Sequence, residues 1–225
     1  MQKRIEESIR AFDLRKVGFI VNELAKDFKS DVSKYSARSF AQAIAMDIFD
    51  YLEEMQVELF QKSFEEIEAK YYQLCSTIAG DNVAERIRNI NLDILQTKLK
   101  SSLPKALYIA NEQSVEAIYF EYDMDNEWES TFFVCDEYSS LSEEDDDWDS
   151  EWIAEIEGPI NREFAQIYQE NGFDETEKAK AKAVTLFLVI RTVTALGTVA
   201  QSMKVNVPPL CIGFHDQDPI MRIKE

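Results

Sequence analysis

Residues 115–135 read VEAIYFEYDMDNEWESTFFVC, and this stretch decides the class of the fold. Its first half alternates between two faces, with Ile118, Phe120 and Tyr122 on one of them, which is the pattern of a β-strand. The last six residues, STFFVC, form a second strand-like run, and the connection DNEWE is short and rich in turn formers. The stretch therefore predicts an antiparallel hairpin, to which the run ALYIA at 106–110 adds a third strand.

Helical spacing dominates the rest of the chain. Before the hairpin, apolar residues recur every three or four positions and predict helices over about 3–28, 40–74 and 83–103, the second of them a single helix or two joined near Val57. After the hairpin, the sequence predicts a helix that starts at Gly158-Pro159, a long helix over about 175–203 and a short buried strand, LCIGF, at 210–214.

The predicted fold class is α+β, mainly helical with a small antiparallel sheet of two to four strands. One domain is predicted over residues 1–225, with a helical N-terminal part over 1–103, the hairpin and an acidic segment over 104–158, and C-terminal helices and a strand over 159–225. The composition is that of a folded chain, because 45% of the 225 residues are hydrophobic and 12% are aromatic.

The charge of the chain is concentrated in one segment. Asp and Glu number 43 against 24 Lys and Arg, which gives a net charge of −19. Between Ala106 and Asn161 there are 18 acidic residues and no Lys or Arg, so the rest of the chain is almost neutral. The acidity disfavours nucleic acid and anionic membranes as direct partners, because binding phosphate needs a basic surface. A basic protein is the complementary partner.

All three tryptophans lie within this acidic segment. In the run EEDDDWDSEW, Trp148 and Trp152 are four residues apart, which would place them on one face of a helix. Tryptophan is a typical binding residue at interfaces, and carboxylates select partners that carry Arg and Lys. The candidate partner-binding residues are Trp128, Glu143, Glu144, Asp145, Asp146, Asp147, Trp148, Asp149, Glu151 and Trp152.

Two other interpretations of the acidic segment stay open. It is a solvated loop if Trp152 only docks it onto the core, since a run of charge is usually a solvated surface. Clustered carboxylates also bind calcium weakly, but an EF-hand loop that starts at Asp145 would place Ser150 where glycine is required and Ile156 where glutamate is required. No dedicated metal or cofactor site is therefore predicted.

The sequence contains no common catalytic signature: GxSxG, HExxH, the P-loop and GxGxxG are all missing. His215 is the only histidine, so a catalytic triad or a metal centre would depend on that one position. With Asp216 and Asp218 it offers a small acid–base cluster after the LCIGF strand, and this is the enzymatic alternative. The other interpretation of the same residues is a surface turn closed by Pro219.

Compartment and redox state follow from local features. The start MQKRIEESIR has charges where an export signal has apolar residues, so a cytoplasmic location is expected. Cys75, Cys135 and Cys211 are odd in number and lack CxxC spacing, which predicts reduced thiols in the core. The apolar run 183–199 contains Arg191 and is short for a membrane span of about 20 residues, so it is predicted to be a buried core element.

The order of features in the second half of the chain resembles bacterial domains of the polymorphic-toxin immunity type. The resemblance is carried by the hairpin AIYFEYD, the acidic run DDDWDSEW, the helices that follow, and the terminal strand that leads into HDQDP. It covers roughly half of the chain. The resemblance implies a stoichiometric inhibitor whose anionic aromatic face blocks a basic toxin, with nucleases as natural targets.

The sequence thus predicts a non-catalytic acidic protein that binds a basic partner, with an immunity protein as the specific form that the resemblance implies. The first alternative is an enzyme that uses His215 and nearby carboxylates. The second is a structural or oligomerisation protein that rests on the long N-terminal helices, which would leave apolar surface exposed on them. The sequence does not predict the oligomeric state.

Overall fold

A computed structural model describes residues 48–143, 148, 151–171, 178–203, 207–217 and 220–225. The chain divides into two compact units, Met1–Met46 and Asp47–Glu225, and all described residues belong to the second. The helix predicted over 3–28 therefore lies outside the described residues, as does the start of the helix predicted over 40–74. The single domain over 1–225 stays a prediction.

Six helices and five strands make up the described part of the chain, which confirms the α+β class. In chain order they are α1 (Ile48–Gln61), α2 (Phe64–Ala79), α3 (Asp81–Arg88), α4 (Asp93–Gln113), β1 (Ala117–Asp123), β2 (Glu129–Cys135), β3 (Ala154–Glu157), α5 (Arg162–Glu170), α6 (Ala179–Ser202), β4 (Leu210–Phe214) and β5 (Met221–Lys224).

The strands form one mixed sheet in the order β3-β2-β1-β4-β5. The predicted hairpin is confirmed, since β1 and β2 pair antiparallel with Phe120 opposite Phe132. β1 pairs parallel with β4, whereas the β2–β3 and β4–β5 pairs are antiparallel. The expectation of a purely antiparallel sheet of two to four strands is therefore wrong. The sequence did not reveal β3 and β5, because each has only four residues and little alternation. The parallel pair was missed because β1 and β4 are far apart in sequence.

The helices before the sheet differ from the prediction at three points. The helix predicted over 83–103 is two helices, α3 and α4, separated by residues 89–92. The long predicted helix is broken at Ser63, whose side chain caps α2 by accepting a hydrogen bond from the backbone N–H of Glu66, while the Glu66 carboxylate accepts from the Ser63 N–H at 2.9 Å. α4 continues through Pro104 to Gln113, so the strand predicted at 106–110 is wrong. Burial of that part of α4 against the sheet outweighs the backbone hydrogen bond that Pro104 cannot make.

α6 is the central element of the core. It packs against all five other helices, and its predicted role as a buried core helix is confirmed. An 18-residue window of α6 has a mean hydropathy of 1.8, which by length and composition would allow a membrane span. However, 89% of this window is buried inside the protein, as in a core helix, so the hydropathy is weak evidence for a membrane span. The three cysteines are buried and none of them forms a disulfide bond, as expected.

Candidate partner-binding surface

The sheet has an inner face and an outer face, because successive side chains of a strand point to opposite sides. On the inner face, Ile118, Phe120 and Tyr122 of β1 are buried on the side of the helices. We call the opposite side the outer face. It carries Tyr119, Glu121 and Asp123 of β1, Glu129, Thr131 and Phe133 of β2, Glu155 and Glu157 of β3, and Cys211 and Gly213 of β4.

One end of the outer face is covered by Tyr138 and Trp148, two described residues of the segment that follows β2. Trp148 is only 4% exposed, and its ring lies 6.3 Å from that of Tyr119 and 5.3 Å from that of Tyr138. The Arg222 guanidinium of β5 lies 5.4 Å from the Trp148 ring and donates to the backbone carbonyl of Ser139 at 2.9 Å. Trp148 thus docks this segment onto the sheet, and the expectation that its indole is available to a partner is corrected.

The other end of the outer face is open and acidic. Asp123 of β1 lies directly opposite Glu129 of β2, and Thr131 has Glu121 as its neighbour on one side and Glu157 on the other. Among the described residues, no Lys or Arg forms an ion pair with these carboxylates or with Glu155. Like charges at neighbouring positions of a sheet repel. We call this group the acidic patch: Glu121, Asp123, Glu129, Glu155 and Glu157.

His215 is the basic group that contacts the acidic patch. Its Nδ1 lies 3.2 Å from Oε1 of Glu121, and its side chain is 59% exposed on the turn after β4. The hydrogen bond with Glu121 has the largest effect and raises the pKa of His215, and burial opposes it. The charges of Glu121, Asp216 and Asp123 raise the pKa further, each by less than burial lowers it. Among the described residues, His215 is therefore exposed on a turn and not enclosed in a pocket, while Asp218 of the predicted acid–base cluster and Pro219 lie outside them.

A cleft is found elsewhere, between the N-terminal ends of α4 and α5. Its volume is about 430 Å³, and Leu95, Lys98, Asn161 and Arg162 contribute to its lining. His215 is not part of that lining. Within the described ranges, no group of three or more His, Cys, Asp or Glu side chains is placed to hold a metal ion.

We expect an NMR titration of His215 to give a pKa above 6.5 that falls towards 6.5 in Glu121→Gln. A pKa that is raised by folding means that the pair stabilises the fold fully below the unfolded-state pKa. That contribution is lost as the pH rises through the folded-state pKa. The chain has one histidine, so its signal is unambiguous. Glu112→Gln, on the exposed side of α4, is the control that should leave this pKa unchanged. An unchanged pKa in Glu121→Gln would contradict the pairing.

Trp128 belongs to the core, so its predicted place on a binding surface is corrected. The indole is 2% exposed, stacks on Tyr122 at 5.4 Å and donates from Nε1 to Oγ1 of Thr192 at 3.1 Å. Glu127 and Trp128 both have positive φ, 53° and 56°, in the turn between β1 and β2. The tight turn leads the chain into β2 with the indole packed on the helical side, against Phe164 and Tyr168.

Trp152 is the predicted indole that does lie at the surface. It is 42% exposed, its ring lies 4.6 Å from that of Phe133, and its Nε1 donates to Oε1 of Glu155 at 2.8 Å. Ile153 beside it is also exposed. The spacing of four residues predicted a shared face for Trp148 and Trp152, but the first indole is buried and the second is not.

No family model, no curated protein and no solved structure matches this chain. The resemblance to immunity-type domains therefore stays a prediction.

The remaining predicted residues are acids of the segment after β2. Glu143 is exposed and accepts a hydrogen bond from the backbone N–H of Ser140 at 2.7 Å, and Glu151 is exposed. Glu144, Asp145, Asp146, Asp147 and Asp149 lie outside the described residues, so their role stays a prediction.

The five carboxylates of the acidic patch are absent from the candidate residues predicted from the sequence. The alternation of β1 had already placed Glu121 opposite the apolar face, so that signal was present. For β3 the signal was weaker, because AEIE alternates over only four residues.

Proposed function

We propose that this protein is a non-catalytic acidic binding protein that holds a basic protein partner against the open end of its outer face. The observation that supports the proposal most is the acidic patch, whose five carboxylates have no Lys or Arg partner among the described residues. Trp152 and Ile153, both exposed, lie beside it. Like charges that lack a Lys or Arg counterion cost stability, and a cationic partner would offset that cost.

Each part of the surface has a distinct physical role in this proposal. The patch and the net charge of −19 attract a basic protein over several ångströms and raise the rate of encounter. Trp152 supplies apolar contact area that slows dissociation. Such a surface suits a stoichiometric inhibitor in the cytoplasm, and the specific form we propose is an immunity protein that blocks a basic, nuclease-like toxin.

The test uses the wild type and two matched variants as baits for affinity capture from a native lysate. The first replaces Glu129, Glu155 and Glu157 with glutamine, and the second replaces three exposed acids of the helices, Glu53, Glu65 and Glu112, so that both lose the same charge. We expect the first to lose a basic polypeptide that the wild type and the second retain, and to keep an unchanged or raised melting temperature because repulsion is relieved. The lost polypeptide is then identified by mass spectrometry.

The captured polypeptide also gives a kinetic readout. Its association rate with the wild type should fall steeply as salt rises, since screening shortens the range of the attraction. The proposal would be contradicted if the two variants retain the polypeptide equally, or if the association rate does not depend on the salt concentration.

A second candidate function is self-association through α1. Phe49, Val57 and Phe60 are all exposed on this helix, and the two phenylalanines lie three turns apart on one side. This apolar surface is what the structural alternative requires. Light scattering on the full chain separates the two functions, because self-association doubles the mass whereas the binding proposal needs no second copy.

A further inference from the structure

We infer that Trp152 and Glu155 form a recognition site for an arginine side chain of the basic partner. The inference rests on the proposed function and names the chemistry by which that partner is recognised. It assigns to these two residues a guanidinium that lies against the exposed indole and pairs with the carboxylate.

The geometry joins an exposed ring and a carboxylate that are held together. The Trp152 Nε1–H donates to Oε1 of Glu155 at 2.8 Å, so the acid sits at the edge of the indole. Glu155 is opposite Phe133 in the β2–β3 pair, and Phe133 is the ring on which Trp152 packs. Glu155 and Trp152 are both exposed and joined by a direct hydrogen bond, so a cation that pairs with the carboxylate is within reach of the indole.

A row of packed aromatic rings supports the Trp152 indole. Phe133 stacks on Tyr119 at 6.0 Å, and Tyr119 in turn contacts the buried Trp148, so a row of aromatic rings crosses the sheet beneath the exposed indole. A side chain that is already fixed loses little conformational entropy on binding. This makes Trp152 a better binding residue than an equally exposed but mobile side chain.

Arginine fits this arrangement better than lysine does. Its planar guanidinium stacks on an aromatic ring and donates several hydrogen bonds in a fixed fork, so it engages the ring and the carboxylate together. A lysine ammonium is a strongly hydrated point charge and uses one of the two contacts well. Attraction by the rest of the acidic patch does not distinguish the two cations, because both carry one positive charge.

The test uses two synthetic peptides of equal length and charge, one built of alternating Gly and Arg and the other of alternating Gly and Lys. Binding to the full-length protein is followed by tryptophan fluorescence, in which Trp152 is the exposed reporter since Trp128 and Trp148 are buried. We expect the Arg peptide to bind about five-fold more tightly than the Lys peptide. Binding to the variants is measured by calorimetry, because Trp152→Leu removes the fluorescent reporter. The preference for the Arg peptide should disappear in Trp152→Leu. It should also disappear in Glu155→Gln, whose amide oxygen can still accept a hydrogen bond from the Trp152 Nε1–H.

Glu157→Gln is the matched control. It removes the same charge from the same strand without a contact to Trp152, so both peptides should weaken equally and their ratio should persist. Equal affinities for the two peptides in the wild type, with weaker binding of both in Glu157→Gln, would overturn the arginine site and leave the proposed function standing. The arginine site and the proposed function would both be overturned if neither peptide binds, or if Glu157→Gln leaves the affinities for the peptides unchanged.

Discussion

Replacing Trp128 by alanine is expected to lower the free energy of unfolding by about 4 kcal/mol, the usual cost of removing a large aromatic side chain from a core. The indole contacts the rings of Tyr122, Phe164 and Tyr168, and its Nε1 hydrogen bond to Thr192 joins the turn between β1 and β2 to α6. Alanine would leave a cavity between the sheet and two helices and would remove the donor to Thr192. Urea denaturation of the full chain measures the loss.

The same substitution at Trp152 is the matched control. This indole is 42% exposed and rests on one ring, so we expect Trp152→Ala to cost about 1 kcal/mol. Under the proposed function the order reverses in a binding assay, because Trp152 lies on the proposed binding surface and Trp128 lies in the core. Equal losses of stability in the two variants would show that Trp128 is not the core residue that the structure describes.

Local patterns predicted the elements that are long or fully buried. β1 and β2 were located from alternating apolar residues, whereas β4 and α6 were located from continuous apolar runs whose lengths suit a strand and a helix. β3 and β5 have four residues each, and their extended conformation depends on pairing with β2 and β4. Pairing between distant segments is not encoded in a local pattern, so both the strand number and the parallel β1–β4 pair were missed.

The candidate site was predicted at the level of the segment and not at the level of its residues. The absence of Lys and Arg over 106–161 correctly located the acidic part of the chain. Which carboxylates share a surface depends on register, since Glu121 and Glu157 flank Thr131 only when three strands are aligned. The indoles were misplaced for a related reason. An aromatic residue beside acids fits a core position as well as a surface position, and only the fold decides between them.

Arg191 is a second residue whose role the sequence did not reveal, and its replacement by methionine is expected to cost about 3 kcal/mol of stability. The side chain is buried in the centre of α6. Its guanidinium donates to the backbone carbonyls of Ile87, Arg88 and Ile90, which lie at the C-terminal end of α3. The distances to the carbonyls of Arg88 and Ile90 are 2.8 and 3.3 Å. Carbonyls at the end of a helix lack helical partners, and the helix dipole there favours a cation.

Methionine nearly preserves the volume of Arg191, so the expected loss reflects the unsatisfied carbonyls and the charge more than a cavity. Burial lowers the pKa of Arg191 and the nearby Glu68 carboxylate opposes that shift, so the guanidinium keeps its charge at neutral pH. Arg88→Met is the control: its exposed pair with Glu85 should contribute less than about 1 kcal/mol. Urea denaturation of both variants decides the matter, because equal losses would mean that the buried guanidinium does not cap α3. A loss confined to Arg191→Met would instead show that one buried cation links the central helix to α3.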